Sequence, residues 1–222
     1  MIELKYKSWN DISINTYNKL MEALKEAPVT DDVTLNNLNQ EIAILSVLCD
    51  VDEDEIASLT QAQFIDLVNQ TSFLQSMPKI DIKDKYTLNG KKYELFLSLK
   101  DMTMAQYIDF QTLYKNQDKY FRELLACFII PKGCKYGEGY NIDEVVKDIG
   151  EYLSIVEANS IMFFFALLYR SLTKVMLNYS IRQMKKAMRK EKDKEKKQMI
   201  QKAIMETKKA VDLVKSGDGS IW

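Results

Sequence analysis

Seven glycines and three prolines are all that interrupt 222 residues. These residue types end helices and shape tight turns, so their scarcity favours long helices over a many-turned sandwich or barrel. The apolar share of 46% is enough to bury a core, which argues against wholesale disorder. At this length the chain forms one large domain or two small ones. The expected architecture is mainly α, a helical bundle with a small antiparallel β-hairpin element and a long C-terminal helix. Its regions are 1–78, helical; 79–181, a β-hairpin plus helical core; and 182–222, a basic C-terminal helix or tail.

Three places carry the same helix-start pattern: Ile12-Ser13-Ile14-Asn15-Thr16-Tyr17, Leu59-Thr60-Gln61-Ala62-Gln63-Phe64 and Met102-Thr103-Met104-Ala105-Gln106-Tyr107. In each, Ser or Thr stands where its oxygen can accept from the free N–H groups of a first turn. Gln63 and Gln106, three residues on, are placed to complete a capping box. Between the first two starts, apolar residues at 35, 38, 42, 45 and 48 form a helical stripe. Asp52 is placed to cap a short helix after it.

After Pro78 the period changes. Asn89-Gly90 lies between Tyr86-Thr87-Leu88 and Tyr93-Glu94-Leu95, a strong hairpin signal. Residues 2–7 alternate apolar and charged like a strand, and as a third strand they would support a hairpin that is marginal alone. Helical patterning then runs from Tyr107 to about Ile130. A glycine-bearing loop follows to Gly139, with further helices near 142–149 and 154–190. Ile161–Tyr169 is uncharged but far short of the roughly 20 residues that cross a bilayer, so it reads as a core helix. Phe163, Phe164 and Phe165 surround that helix with apolar surface and mark a candidate partner contact.

The chain has no histidine, which removes Ser-His-Asp and Cys-His catalysis and the Cys/His zinc sites. Lysine, tyrosine and carboxylates remain, but they form no recognisable constellation. No catalytic residue, cofactor or metal site is assigned, and the expectation is a non-catalytic protein that works by binding others. Cys49 and Cys127 sit in apolar helical runs and read as small core residues, with Cys134 in a loop. The odd, unrelated spacing fits a reducing compartment. Asp50-Val-Asp52-Glu-Asp54 opens like a calcium loop but has Glu55 where Gly is needed and Gln61 in place of the closing Glu. Gly133, Gly137 and Gly139 lack the Gly-Lys-Ser/Thr of a phosphate loop.

Residues 182–215 carry 13 Lys and Arg against 5 Asp and Glu, a net of +8, while the remainder carries 18 against 27, a net of −9. Lys185, Lys186, Arg189 and Lys190 are candidate contacts to a partner. Ile200, Ile204, Val211 and Val214, with Thr207 between them, step by four and three like a short heptad seam, a second candidate contact. Glu191, Asp193 and Glu195 interrupt the basic run, and alternating signs of this kind usually mean a solvated helix laced by internal ion pairs. That favours a protein-docking arm over nucleic-acid binding, which stays open as an alternative.

One stretch carries a resemblance. Leu38-Asn-Gln-Glu-Ile-Ala-Ile-Leu-Ser-Val-Leu-Cys49 leads through Asp50-Val-Asp-Glu-Asp-Glu-Ile-Ala-Ser-Leu59 into Thr60-Gln-Ala-Gln-Phe-Ile-Asp-Leu67 and ends near Phe73-Leu74. This order resembles the tail-assembly chaperones of tailed bacteriophages, and Trp9-Asn10-Asp11-Ile12-Ser13-Ile14-x-x-Tyr17 is similar to openings of phage morphogenesis proteins. The resemblance implies a helical chaperone that covers apolar helices of the tape-measure protein in the host cytoplasm during assembly. It implies other phage proteins as partners, with a homo-oligomer possible and no membrane. The hairpin at 86–97 and the basic C-terminal helix depart from the family pattern. They keep a permanent virion subunit (a neck, ring, connector or internal cargo protein) as the alternative.

Overall fold

The computed structural model describes residues 2–76, 78–98 and 101–216, without the side chains of 171–173, 175–176, 210 and 213–216. The fold is mainly α with a small antiparallel sheet. Helices α1 (Ile14–Glu26), α2 (Val33–Cys49), α3 (Glu53–Ala57) and α4 (Gln61–Gln70) come first, followed by a 3-10 turn, Thr71–Gln75. Strands β1 (Lys85–Leu88) and β2 (Lys91–Leu95) follow, then α5 (Met104–Tyr114), α6 (Phe121–Ala126), β3 (Ile129–Pro131) and α7 (Ile142–Tyr152). The last two helices are α8 (Ile155–Lys190) and α9 (Lys194–Ser216). The chain divides into two compact units, residues 1–161 and 162–222. Among the described residues, no helix is long and apolar enough to cross a membrane.

All three repeated signals start helices. Ser13, Thr60 and Thr103 are the N-caps of α1, α4 and α5, each accepting from the N–H three residues on. A cap of this kind contributes about 1 kcal/mol. Of these three starts, the full reciprocal box forms at Thr60, where Gln63 returns its side-chain oxygen to the Thr60 N–H. Gln106 does not do so. It is buried, and its side-chain amide donates to the carbonyl of Cys127 at 2.6 Å.

That hydrogen bond belongs to a break the sequence does not announce. The helix expected from Tyr107 to Ile130 is instead α5, α6 and then β3. Where α6 ends, carbonyls lose their helical donors and must be satisfied from elsewhere. Gln106 takes that of Cys127, and the Phe96 N–H takes that of Phe128 at 2.7 Å. The next residues form the third strand, with the order β1-β2-β3 and Tyr93 opposite Pro131.

Residues 2–7 are therefore not the third strand. The N–H groups of Lys5 and Tyr6 both donate to the carbonyl of Leu48, at 2.9 and 3.4 Å, so this segment closes the C-terminal end of α2. Asp50 ends that helix in the left-handed region at φ 58°, a conformation Asp tolerates better than most residues, and it ion-pairs with Lys5. The hairpin forms as expected. Asn89 and Gly90 both have positive φ, as a two-residue turn matching the twist of its strands requires.

The N-terminal unit is drawn together where two helices begin. Ser13 and Ser154 form an isolated antiparallel bridge, with the Ile14 N–H donating to Leu153 and the Ile155 N–H to Ile12. Ser154 and Glu157 cap each other's backbone to start α8, just as Ser13 starts α1. Ile12, Ile14, Leu153 and Ile155 around them are buried. Gly150 lies beside this junction. A Cβ there would come within 2.8 Å of the Asn15 side chain and 2.9 Å of Arg122, so α7 passes close only because the position is bare.

Candidate functional site

Helix α2 carries the first candidate surface. Its apolar stripe is covered at the C-terminal end, where Leu45 and Leu48 are 1% and 0% exposed, but not at the N-terminal end, where Leu35 and Leu38 are 43% and 41% exposed. Val33 and Val29 beside them are still more open. Asp32 caps the helix firmly, its carboxylate accepting from the N–H groups of Thr34 and Leu35. The apolar stripe thus outruns the core that covers it by about one turn, Leu35 to Leu38, on a helix whose start is well fixed.

The second candidate surface is the pair α8–α9 within the C-terminal unit. After a three-residue connection α9 folds back, and Ile181, Ile204 and Val211 form a buried cluster with Leu177, Met184, Met188 and Ile200 packed against it. The heptad-like seam is real, but its occupant is the chain's own α8. Ile200, Ile204 and Val211 are consequently not a free surface for another protein; Val214 lies outside the residues whose side chains are described. The three phenylalanines separate as well. Phe165 is buried, Phe164 is half-buried with its ring 5.4 Å from that of Phe165, and Phe163 is exposed.

Lys185, Lys186, Arg189 and Lys190 are exposed. The ion pairs expected along this run are not there. Among the described residues, no Lys or Arg between 182 and 209 is seen paired with an acid, whereas Lys5–Asp50, Lys83–Glu157 and Lys91 with Glu144 and Asp148 pair in the N-terminal unit. Two of the interrupting acids are turned to the backbone of the connection. Glu191 accepts from the N–H groups of Lys192 and Asp193, and Asp193 caps α9 by accepting from those of Glu195 and Lys196. An acid so placed satisfies free helix-start donors and complements the helix dipole, which uses its charge without tying up a lysine side chain.

Elsewhere the inward polar groups include the buried Gln111 Nε2 and Glu123 Oε2, which have no hydrogen-bond partner among the described residues, and one closed carboxylate. Asp148 on α7 is 3% exposed, yet it accepts from the Tyr93 hydroxyl at 2.6 Å, the Asn89 amide at 3.2 Å and the Lys91 ammonium at 3.0 Å. Burial pushes its carboxyl up, but those three donors outweigh burial and hold it below the ordinary value. Tyr93 is pushed well up by burial and by the same carboxylate. With its acceptor capacity taken by donors from one hairpin, Asp148 acts as a tie between β1–β2 and α7 and has little left for a substrate. The sequence does hold a sign of it: an Asp on the same stripe as Val145 and Ile149, where a helix normally buries only apolar groups.

Cys127 is buried, and its thiol is pushed up to about 12 by burial, which makes it a poor nucleophile. Its sulfur lies 3.8 Å from the Tyr136 hydroxyl, which donates to Asp109 at 2.9 Å, fixing the 131–139 loop to α5. Cys49 is also buried and Cys134 is partly exposed. Two open clefts accompany these features. One of about 360 Å³ is lined by Tyr6, Lys19, Ser46, Asp50 and Glu55, and one of about 410 Å³ by Glu3, Lys7, Gln63, Asp66 and Gln70. Neither places a cysteine or histidine among its walls. Among the described residues, no group of three or more Cys, Asp or Glu stands close enough to hold a metal ion. No family model, curated protein or solved structure matches this chain.

Proposed function

We propose that the chain is a non-enzymatic morphogenesis protein of a tailed phage, a tail-assembly chaperone that docks a helical segment of the tape-measure protein. The observation that carries this reading is the uncovered N-terminal half of the α2 stripe, where Leu35 and Leu38 stand exposed next to Val33 on a well-capped helix. A helix-in-groove partner reads such surfaces through residues three and four apart, and burying the exposed two-fifths of each leucine contributes on the order of 1–2 kcal/mol in all to docking. The same helix opens the stretch that resembles the chaperone family, so residue pattern and exposed surface coincide. The closed Asp148 and Cys127 arrangements fit a protein whose work is contact.

The test is co-expression with the tape-measure protein of the same genome. Wild-type chain should retain it through purification, and the pair Leu35→Lys and Leu38→Lys should release it while circular dichroism stays unchanged. Undiminished retention by that double variant would remove α2 as the docking surface. The alternative, a permanent virion subunit, predicts stoichiometric amounts of the chain in purified particles by mass spectrometry; a chaperone is absent from them.

A further inference from the structure

Six cations of the α8–α9 pair share one side, while Lys186, Lys190, Lys196, Lys202 and Lys209 lie off it. Around α8, with the buried seam of Leu177, Ile181, Met184 and Met188 as origin and 100° per residue, Lys185, Arg189 and Arg182 follow one another on the same flank. Around α9, with Ile200, Ile204 and Val211 as origin, Lys197, Lys208 and Lys194 lie on the flank of the same rotational sense. Because the two helices run antiparallel, flanks of equal sense fall on one face of the pair. All six cations are exposed. The acids Glu195 and Glu206 fall on the other side; Asp212, at the far end of the basic face, is already engaged. Glu191 and Asp193, nearest in sequence, serve the backbone as described.

We propose that this face binds duplex nucleic acid through its phosphates, a property beyond the chaperone reading and independent of it. Two rows of cations about 8–10 Å apart, the spacing of packed helices, confront a polyanion at two lines of contact. Along α8 the row from Arg182 to Arg189 covers about 10 Å, a length over which a duplex presents about six negative charges. The face has no exposed aromatic among its six cations on which an unpaired base could stack, so the duplex backbone, rather than a single strand, is its match. It also lacks the buried aromatic or aliphatic anchors that dominate binding to an acidic protein, with Met205 the exposed apolar side chain at its margin. Phosphate contacts need only the cations.

Full-length chain would be titrated into a fluorescent 30-base-pair duplex across a range of salt, by anisotropy. Binding should weaken linearly in log–log form with salt, with a slope of magnitude about 5 for six contacts. The pair Lys185→Gln and Arg189→Gln should weaken binding at least tenfold and reduce the slope by about 2. The pair Lys196→Gln and Lys202→Gln removes the same charge from off that face and should change affinity less than threefold. Absence of binding at low salt would overturn the proposal, as would equal weakening by both pairs, which means diffuse attraction. So would tighter binding to polyglutamate of matched charge than to the duplex, which assigns the face to an acidic protein. Tape-measure retention by Lys185→Gln/Arg189→Gln separates this failure from that of the α2 docking surface.

Discussion

The β1–β2/α7 junction and the α8–α9 pair use charged residues in opposite ways. At the first, a carboxylate is drawn inside and answered by three donors from one hairpin, so charge specifies how distant parts of the chain meet. At the second, an apolar seam packs two neighbouring helices, and most of the charges are left facing out. Long-range assembly needs directional contacts to select a single register, whereas two helices joined by three residues need only a matched apolar seam. The charge that assembly does not require is then available for something outside the chain.

The largest effect should come from breaking the seam. Ile204→Asp places an unpaired charge in the buried cluster of the pair, at a cost of about 3–5 kcal/mol. Circular dichroism should lose the helical signal of α9, and proteolysis should open residues 194–216, while hydrogen exchange of the β1–β2 hairpin is unchanged. Loss of protection in both places would mean that the two regions do not behave separately.

Asp148→Asn should cost less, about 2 kcal/mol, because the amide keeps the shape but replaces a charge-assisted acceptor with a neutral one. Its pH signature is more telling. The folded Asp148 carboxyl lies below the ordinary value, so its stabilisation is complete above the unfolded pKa near 4 and is lost as pH falls through the folded value. Urea titrations between pH 6 and pH 2 should show the wild type losing this increment, and the Asn variant, stability already reduced, should lose correspondingly less. Parallel curves would show that the carboxylate is not the tie described. The smallest effect belongs to the outward charges. Lys186→Gln should shift stability by less than about 0.5 kcal/mol in the same titration, since no partner is lost.

What the sequence revealed and what it hid follow the same division. Signals that act within a few residues were legible: the caps Ser13, Thr60 and Thr103, the Asn89-Gly90 turn, and the starts of α7 and α8. Strand β3 was not, because Leu124–Ile130 is apolar without a period, and its division into helix and strand depends on Gln106 and the edge of β2. Residues 2–7 alternate like a strand, but their donors are consumed by the end of α2, a partner invisible in a local window. The heptad spacing at 200–211 predicted a seam correctly and said nothing of whose helix would fill it. The basic run was visible as charge; that six of its cations share one face appears only once the direction of α9 is known. The alternating acids misled for a related reason, since Asp193 marks a helix start that breaks the run in two.

The bridge between Ser13 and Ser154 sets an order of events during synthesis. Helix α1 leaves the ribosome early, but the strand-like contact that seats it, and the carbonyl of Leu153 that receives the Ile14 N–H, arrive only when residues 153–155 emerge. Closing so long a loop is entropically slow compared with pairing α8 and α9, which needs three intervening residues. Helix α1 therefore reaches its final seat only after α7 is made, whereas α8 and α9 can pair as soon as both have emerged.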